Sequence, residues 1–320
     1  MLTSGADQIN QLKILVIIVT YNSMQWIEKC LQSVRNSSMP VSTLVIDNMS
    51  FDGTVDFIKN NYPEIILINN KNNMGFGKAN NIGLEYAVRQ NYDYAFLLNQ
   101  DAWPEQDTIE KLIKVHLADS AYGIISPLQL DGQGDTIDRN FVNCIPYKSL
   151  FEVKNAITRN NLLIDTNFVN AASWLISKFC LLKIGIFDPL FMHYGEDRDY
   201  CNRVIYHNLK IGIVLDSIIY HDRVYDKNNP FRKYKHIVLS IGMVHLKNIN
   251  HSLFYNCLTW LIKRTKETLK WIILFRVRLF LDELSVNYTL FLMISKIIRS
   301  RANCRLTNIH FYHGTSFRQI

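Results

Sequence analysis

The sequence lacks a cysteine pair. Its six cysteines, Cys30, Cys144, Cys180, Cys201, Cys257 and Cys304, are scattered without any C-x-x-C spacing. That argues against a zinc site or a disulfide framework and fits a reducing, cytoplasmic compartment. Long apolar runs are missing too: no stretch reaches the roughly 18 uncharged apolar residues that a membrane-spanning helix needs. The segment from Met1 to Leu12 is mostly polar, and the apolar run Ile14–Val19 has neither a basic lead-in nor a cleavage site, so no secretory leader is expected. Internal repeats and low-complexity segments are also absent.

What remains is an ordinary folded composition, with 48% hydrophobic and 20% charged residues over 320 residues. That length suits one large domain, or one domain and an extension. The net charge of +7 is unevenly spread. The chain is slightly acidic before Arg232 and strongly basic after it, which implies two regions with different partners. We therefore expect a catalytic-type domain over residues 1–230 and a helical, basic, amphipathic extension over residues 231–320.

The first half alternates short apolar runs with amphipathic stretches. Strands are expected at Ile14–Val19, Leu44–Ile46, Ile65–Ile68, Tyr94–Leu98 and Ile124–Ile125. Helices are expected at Met24–Arg35, Val55–Lys59, Lys78–Arg89 and Thr108–Leu117. Such alternation predicts an α/β fold, a mostly parallel sheet with helices on both faces. Asp131 to Asp165 reads as loops and short pieces over the sheet edge. Further strands are expected at Phe168–Ser177, Gly212–Leu215 and Ile218–Tyr220, with a helix at Glu196–His207.

Ligands bind beyond the carboxyl ends of strands in open parallel sheets, and here those ends are polar. Strand one ends in Thr20-Tyr21-Asn22, strand two in Asp47-Asn48 and strand four in Asn99-Gln100-Asp101. Strand three leads into Gly75-Phe76-Gly77-Lys78-Ala79-Asn80. Each alone fits ordinary turn and cap chemistry; four on one rim suggest a shared site. Asp47 suits a nucleotide-base N–H or its own turn. Gly75 and Gly77 allow backbone to approach a phosphate, although the third glycine of a dinucleotide fingerprint is misplaced. Asp101 suits a hard cation or a helix cap. Glu196, Asp197 and Asp199 crowd the start of one helix, where the helix dipole partly stabilises them and one can serve as a proton acceptor. His221 ends a late strand, and its imidazole suits either a metal or packing.

The ordered motifs VTYN, DN-x-S-x-DGT, N-x-GF-G-x-ANN-x-G, LLNQD, VNAASWLIS and GIFDPLFMHYGEDRDYCNR resemble those of the family 2 glycosyltransferases of the GT-A fold. Within that family the chain looks most like the branch containing bacterial rhamnosyltransferases of surface polysaccharides. The resemblance covers about Ile14 to Asp222. It implies an inverting, metal-dependent transfer from a nucleotide-diphosphate sugar, with dTDP-L-rhamnose the first candidate donor and UDP-galactofuranose or another UDP-sugar the next. It implies Asp197 as general base, with Glu196, Asp199, Arg203 and Trp174 supporting the base or the acceptor. The nucleotide side would comprise Thr20, Tyr21, Asn22, Asp47, Asn48, Gly75, Lys78, Asn80 and Asn99. Asp101 and His221 would hold Mg2+ or Mn2+. Asn99 stands where the family usually has the first acid of its D-x-D motif.

Two other readings compete with this one. A nucleotidyltransferase wants a glycine-rich basic loop after strand one, and Tyr21 to Trp26 contains no glycine. A non-catalytic polysaccharide- or partner-binding module of the same fold is disfavoured by intact Asp101, Asp197 and His221.

Trp260 to Leu281 presents Leu261, Ile262, Leu269, Ile272, Ile273, Leu279 and Phe280 at helical spacing, interrupted by Arg276. Lys263, Arg264, Lys266, Lys270 and Arg278 gather beside them. This pattern suits an anionic membrane surface or a helix packed on the catalytic domain. Bulky apolar residues between the charges disfavour nucleic acid. A membrane contact suits a saccharide acceptor on a polyprenyl-diphosphate lipid, at the inner face of the cytoplasmic membrane.

Overall fold

The computed structural model describes residues 11–192, 194–223 and 234–307. The first part reads β1 (Ile14–Thr20), α1 (Ile27–Arg35), β2 (Ser42–Asp47), α2 (Thr54–Asn61), β3 (Ile66–Asn69), α3 (Phe76–Arg89) and β4 (Tyr94–Asn99). It continues with β5 (Ala102–Pro104), α4 (Thr108–Ala118), β6 (Tyr122–Asp131), α5 (Leu150–Thr158), β7 (Leu163–Asp165), β8 (Ser173–Ser177) and α6 (Lys178–Ile184). After these come α7 (Glu196–Tyr206), β9 (Lys210–His221), α8 (Tyr234–Lys247), α9 (Leu253–Ile273) and α10 (Val277–Cys304).

The apolar run of β1 forms a central strand because it is covered on both faces, as parallel strands are. Leu15 and Ile17 join one core with Leu44, Ile46 and Leu97. Ile14, Val16 and Ile18 join the other with Val45, Phe96 and Leu98. Helix α3 lies so close over β1 that a Cβ at Gly83 would collide with Ile17. The sheet has nine strands, in the order β3-β2-β1-β4-β8-β6-β9-β5, with β7 beside β9. It is parallel from β3 to β4. Beyond that it is mixed, because β8 runs antiparallel to both neighbours and β5 and β7 run antiparallel to β9.

Several expectations are corrected. Gly212–Leu215 and Ile218–Tyr220 are parts of one strand, β9, which also takes in His221. The strand expected over Phe168–Ser177 is confined to Ser173–Ser177. Asp131 to Asp165 contains a real helix, α5, whose Ser149 cap accepts from the Glu152 amide at 3.3 Å. The single amphipathic helix expected over Trp260–Leu281 is two helices, broken at Leu274–Arg276, where Phe275 takes a left-handed φ of 51°. The division at residue 230 falls outside the described residues.

The extension is not a detached tail. Val238, Met243, Leu246, Trp260, Val286, Leu290 and Ile297 form a third core, and Phe191, from the loop before α7, is part of it. Charge ties the same surfaces together. The Lys247 ammonium of α8 lies 2.6 Å from Asp199 Oδ1 and 2.9 Å from Asp188 Oδ2. Arg203 Nε meets the other Asp199 oxygen at 3.1 Å, and its terminal nitrogens donate to the carbonyls of Ile184 and Ile186. Ser300 of α10 donates to Asp188. All these charged groups are buried. Burial works to lower the Lys247 pKa, but the two carboxylates outweigh it and hold it at about 12. A second buried pair joins Arg264 of α9 to Glu283 of α10 at 2.7 Å. Arg264 therefore leaves the exposed basic stripe to which its spacing assigned it.

Lys247→Met is expected to lower the unfolding free energy by about 3–5 kcal/mol, because it leaves buried Asp188 without a cation and Asp199 with Arg203 alone. Exposed Lys263→Met should change it by no more than about 0.5 kcal/mol. Denaturant titration followed by circular dichroism checks this; equal midpoints for the two variants would show that the cluster does not hold the extension.

Candidate active site

The ends of β1, β2 and β4 lie side by side, with Thr20 opposite Asp47 and Val19 opposite Asn99. Beyond them opens a pocket of about 290 Å³, whose lining includes Tyr21, Asn48, Gly75, Phe76, Asn99 and Asp101. Gly75 has φ 80° and ψ 170°, a backbone that a side chain would strain. Asn48 fixes the loop across the pocket: its Oδ1 accepts from the Met74 amide at 2.9 Å and its Nδ2 donates to Asn73. At the rim, exposed Tyr21 and Phe51 meet edge to face with centroids 6.2 Å apart.

Other residues assigned to the nucleotide are turned to their own loops. Asp47 accepts from the Thr20 hydroxyl at 2.9 Å and from the Ser50 amide at 2.8 Å and hydroxyl at 2.5 Å. Most of its lone pairs are thereby used. Thr20 and Asp47 are buried, so the turn reading of Asp47 describes this structure. Asn22 accepts from the Phe51 amide at 3.0 Å and shapes the same loop. Asn80 is buried and donates back to the Phe76 carbonyl of its own helix at 3.0 Å, so it does not face the pocket. Lys78 lies half-buried in the first turn of α3.

Ala102 pairs with His221 across β5 and β9, which carries Asp101 to the imidazole. His221 Nε2 lies 3.2 Å from Asp101 Oδ1 and 3.4 Å from Asn99 Nδ2. Its Nδ1 is buried, makes no hydrogen bond among the described residues and lies 3.7 Å from Asp138 Oδ2. A proton on Nδ1 facing Asp138 would leave the Nε2 lone pair toward Asp101. An imidazole and a carboxylate converging in this way fit a divalent cation whose other ligands are phosphate oxygens and water. Among the described residues no group of three histidine, cysteine or acidic side chains forms a complete cage.

The acid-rich segment opens α7. Tyr194 and Gly195 both take positive φ, 63° and 96°, and turn the chain into the helix. Ser240 of α8 donates to the Tyr194 carbonyl at 2.7 Å, and a Cβ on Gly195 would collide with Val244 and Ser240. The extension thus packs directly on the turn that presents Glu196 and Asp197. These two line a second pocket of about 290 Å³ with Asn170, Tyr194 and Arg223; Phe76 and Asn99 line both pockets and join them. Burial, helped by the Asp197 charge, raises the Glu196 pKa to about 7. Its Oε2 is buried and has no hydrogen-bond partner among the described residues. Burial also pushes Asp197 above the usual carboxylate range, against the pull of Arg198 and Arg223. Carboxyls raised in this way suit proton transfer near neutral pH.

Three residues assigned to support the base lie elsewhere. Asp199 and Arg203 belong to the buried ion cluster. Trp174 is fully buried, stacked on Phe187 with centroids 5.9 Å apart, because its strand position turns it into the core. Conversely Phe76, Asn170, Tyr194, Asp138 and Arg223 were not picked out as site residues. Arg223 stood two residues beyond His221 and offered a signal; Asp138, inside the irregular stretch, offered none.

Glu196 gives a pH test with a defined sign. A carboxyl raised from 4.5 to about 7 in the folded state binds more protons there than in the unfolded chain. Its contribution therefore costs stability as pH rises from about 4.5 to 7. Glu196→Gln should match wild type near pH 4 and be more stable at pH 8, by on the order of 2 kcal/mol. Thermal melts across that range check it; a difference independent of pH would contradict it.

The profile of the family described as "Glycosyl transferase family 2" matches residues 15–184. The low-salt glycan biosynthesis hexosyltransferase Agl10 of Haloferax volcanii is 25% identical over 210 residues, 63% of this chain and 66% of that protein. The SPbeta prophage-derived glycosyltransferase SunS of Bacillus subtilis is 29% identical over 114 residues, 36% of this chain and 26% of that protein. The match thus spans less than two thirds of either relative. In fold, S. aureus TarS 1-349 in complex with UDP-GlcNAc aligns with TM-score 0.53 at 14% identity, over 77% of this chain and 69% of that chain. GalNAc-T7 with UDP, GalNAc and Mn2+ aligns with TM-score 0.54 at 14% identity, over 74% of this chain and 50% of that chain. The family match takes in more than half of the 320 residues, including every strand that ends at the first pocket: the chain belongs to glycosyl transferase family 2.

Proposed function

We propose that the chain is an inverting, metal-dependent glycosyltransferase that moves a sugar from a nucleoside-diphosphate donor to an acceptor hydroxyl. The observation that carries this reading is the junction of the two pockets at Asn99 and Phe76, with Asp101, which meets the buried His221, lining one and Asp197 lining the other. Family membership and the UDP complexes of TarS and GalNAc-T7 support a nucleotide-sugar donor.

The strand-end pocket holds the nucleotide, with Tyr21 and Phe51 at its rim and the Gly75 backbone against the phosphates. Asp101 and His221 hold Mg2+ or Mn2+, which offsets charge on the leaving diphosphate when bound. Asp197 takes the acceptor hydroxyl proton as that oxygen approaches the anomeric carbon opposite the leaving group, so the centre inverts. Glu196, protonated below about pH 7, orients sugar hydroxyls beside it. L-Rhamnose from dTDP-rhamnose is the first donor to try, by motif resemblance, and UDP-sugars follow.

The acceptor is a saccharide, and a lipid-linked one suits the extension. No helix among the described residues is long and apolar enough to cross a membrane. Yet Phe254, Leu258, Leu261, Leu269 and Ile272 form an exposed stripe on α9, and Phe275 at the turn is 90% exposed. Lys263, Lys266, Lys270, Arg276 and Arg278 flank them. A bilayer surface with anionic lipid, at the cytoplasmic face, meets both the apolar and the basic character.

Three outcomes test these assignments. Asp197→Asn should lower kcat by about 10²–10⁴-fold with little change in donor affinity; full turnover would remove Asp197 as the base. Asp101→Ala and His221→Ala should each weaken the thermal shift that Mn2+ adds to nucleotide binding, and an unchanged shift would clear that residue as a ligand. Flotation with anionic vesicles should show binding that falls with salt and is lost in Phe275→Asp, while nucleotide affinity stays. Absence of binding at low salt would reject the membrane contact.

A further inference from the structure

Arg223 has an arrangement that the assignments above leave unused. It follows His221 by two residues and lines the pocket of Asp197. Its Nε donates to Asp138 Oδ2 at 2.8 Å. Asp138 is a fixed post: it is buried, and its Oδ1 accepts from the amides of Asn140 and Phe141, both at 2.9 Å. The same Oδ2 lies 3.7 Å from His221 Nδ1. One buried carboxylate therefore holds the guanidinium that faces the base pocket and lies beside the imidazole that faces Asp101. With Nε held, the terminal nitrogens of Arg223 have no hydrogen-bond partner among the described residues, and the side chain is 33% exposed. No other basic side chain among the described residues lines either of the two joined pockets.

The charge balance at this place calls for a cation. The bond that breaks in the proposed transfer lies between the sugar's anomeric carbon and the distal phosphate oxygen. On one side of it is the Asp101–His221 pair and on the other is Asp197. Arg223 lines the Asp197 pocket and is tied to Asp138, which lies beside His221. The side chain next to the pair, Asn99, is a neutral amide, and no three-ligand group completes a metal cage among the described residues. A guanidinium fixed at Nε, with both terminal NH2 groups unpaired among the described residues, matches phosphate geometry.

We propose that Arg223 binds the distal phosphate of the nucleoside-diphosphate donor and stabilises it as the leaving group. The proposal rests on the transferase reading. The acceptor O–H bond breaks with its proton going to Asp197, and the new oxygen–carbon bond forms. The carbon–oxygen bond to the distal phosphate breaks, and its electron pair stays on the phosphate oxygen. The Arg223 N–H groups donate to that oxygen or its neighbours, and their hydrogen bonds strengthen as the charge grows.

The experiment uses the full chain as wild type, Arg223→Ala and Arg223→Lys, with UMP, UDP, dTMP and dTDP as probes, in Mn2+ and in EDTA. Arg223→Ala should lose about 10–100-fold in diphosphate affinity while monophosphate affinity stays within about twofold. With whichever nucleotide sugar supports wild-type transfer, kcat should fall about 10²–10³-fold, and added guanidinium ion should restore part of it. Arg223→Lys should lie between, since it keeps charge without the fork. Equal losses for mono- and diphosphates would overturn the proposal, because a merely structural Arg223–Asp138 tie predicts them. So would an unchanged diphosphate affinity with a raised acceptor KM, which would make Arg223 a contact for an anionic acceptor. Wild type that binds none of the four nucleotides would overturn the transferase reading along with it; selective failure of the Arg223 predictions overturns this inference alone.

Discussion

The Lys247 ammonium, enclosed between Asp188 and Asp199, is the interaction on which the rest of the molecule hangs. A buried charge is costly unless its partners and their hydrogen bonds are all in place. Here they come from four separated parts of the chain: the loop before α7, α7 itself, α8 and α10. Asp199 lies two residues beyond Asp197, so the cluster that seats the extension also sets the position of the helix that carries Asp197. The Ser240 hydrogen bond to the Tyr194 carbonyl repeats the tie one turn earlier. The extension is thus part of the frame of the site, whatever its outer surface touches.

The sheet solves a complementary problem. Its parallel half brings the polar ends of β1, β2 and β4 to one rim, as open α/β sheets do. The antiparallel β8 and the pairing of β5 with β9 then close the other side of that rim. Without the three residues of β5, Asp101 and His221 would not meet. The two pockets join where these halves meet, at Asn99.

Much of this was legible from the sequence, and the reasons for the failures are physical. Continuous apolar runs such as Ile14–Val19 specify strands covered on both faces, and four of them in alternation with helices specify the parallel half. Asp101, Asp197 and His221 sat at element ends, where side chains reach a rim. Asp199, Arg203 and Arg264 were misread because charged residues near a candidate site look alike whether they face a ligand or a buried partner. Their partners lie far along the chain; Lys247 is 48 residues from Asp199. Thr20, Asp47 and Asn80 turned inward to short-range hydrogen bonds that periodicity does not encode. The strand Ala102–Pro104 was too short to show a period, and Trp174 was read for its chemistry when its strand position buries it.

Gly195 carries a consequence for how the protein is made. Its backbone is left-handed, and α8 fills the space where a side chain would stand. The turn that opens α7 therefore has its lid only when residues some 40–50 positions downstream have left the ribosome; Ser240 and Lys247 are 46 and 48 residues from the groups they hold. At the usual pace of about 5–20 residues per second, the parallel half of the sheet has time to form first. Until α8 and α10 arrive, Asp188 and Asp199 face water or Arg203 alone. A nascent or prematurely ended chain would thus hold a finished strand-end rim beside an unfinished turn at Glu196 and Asp197, so that the second pocket waits on completion of the polypeptide.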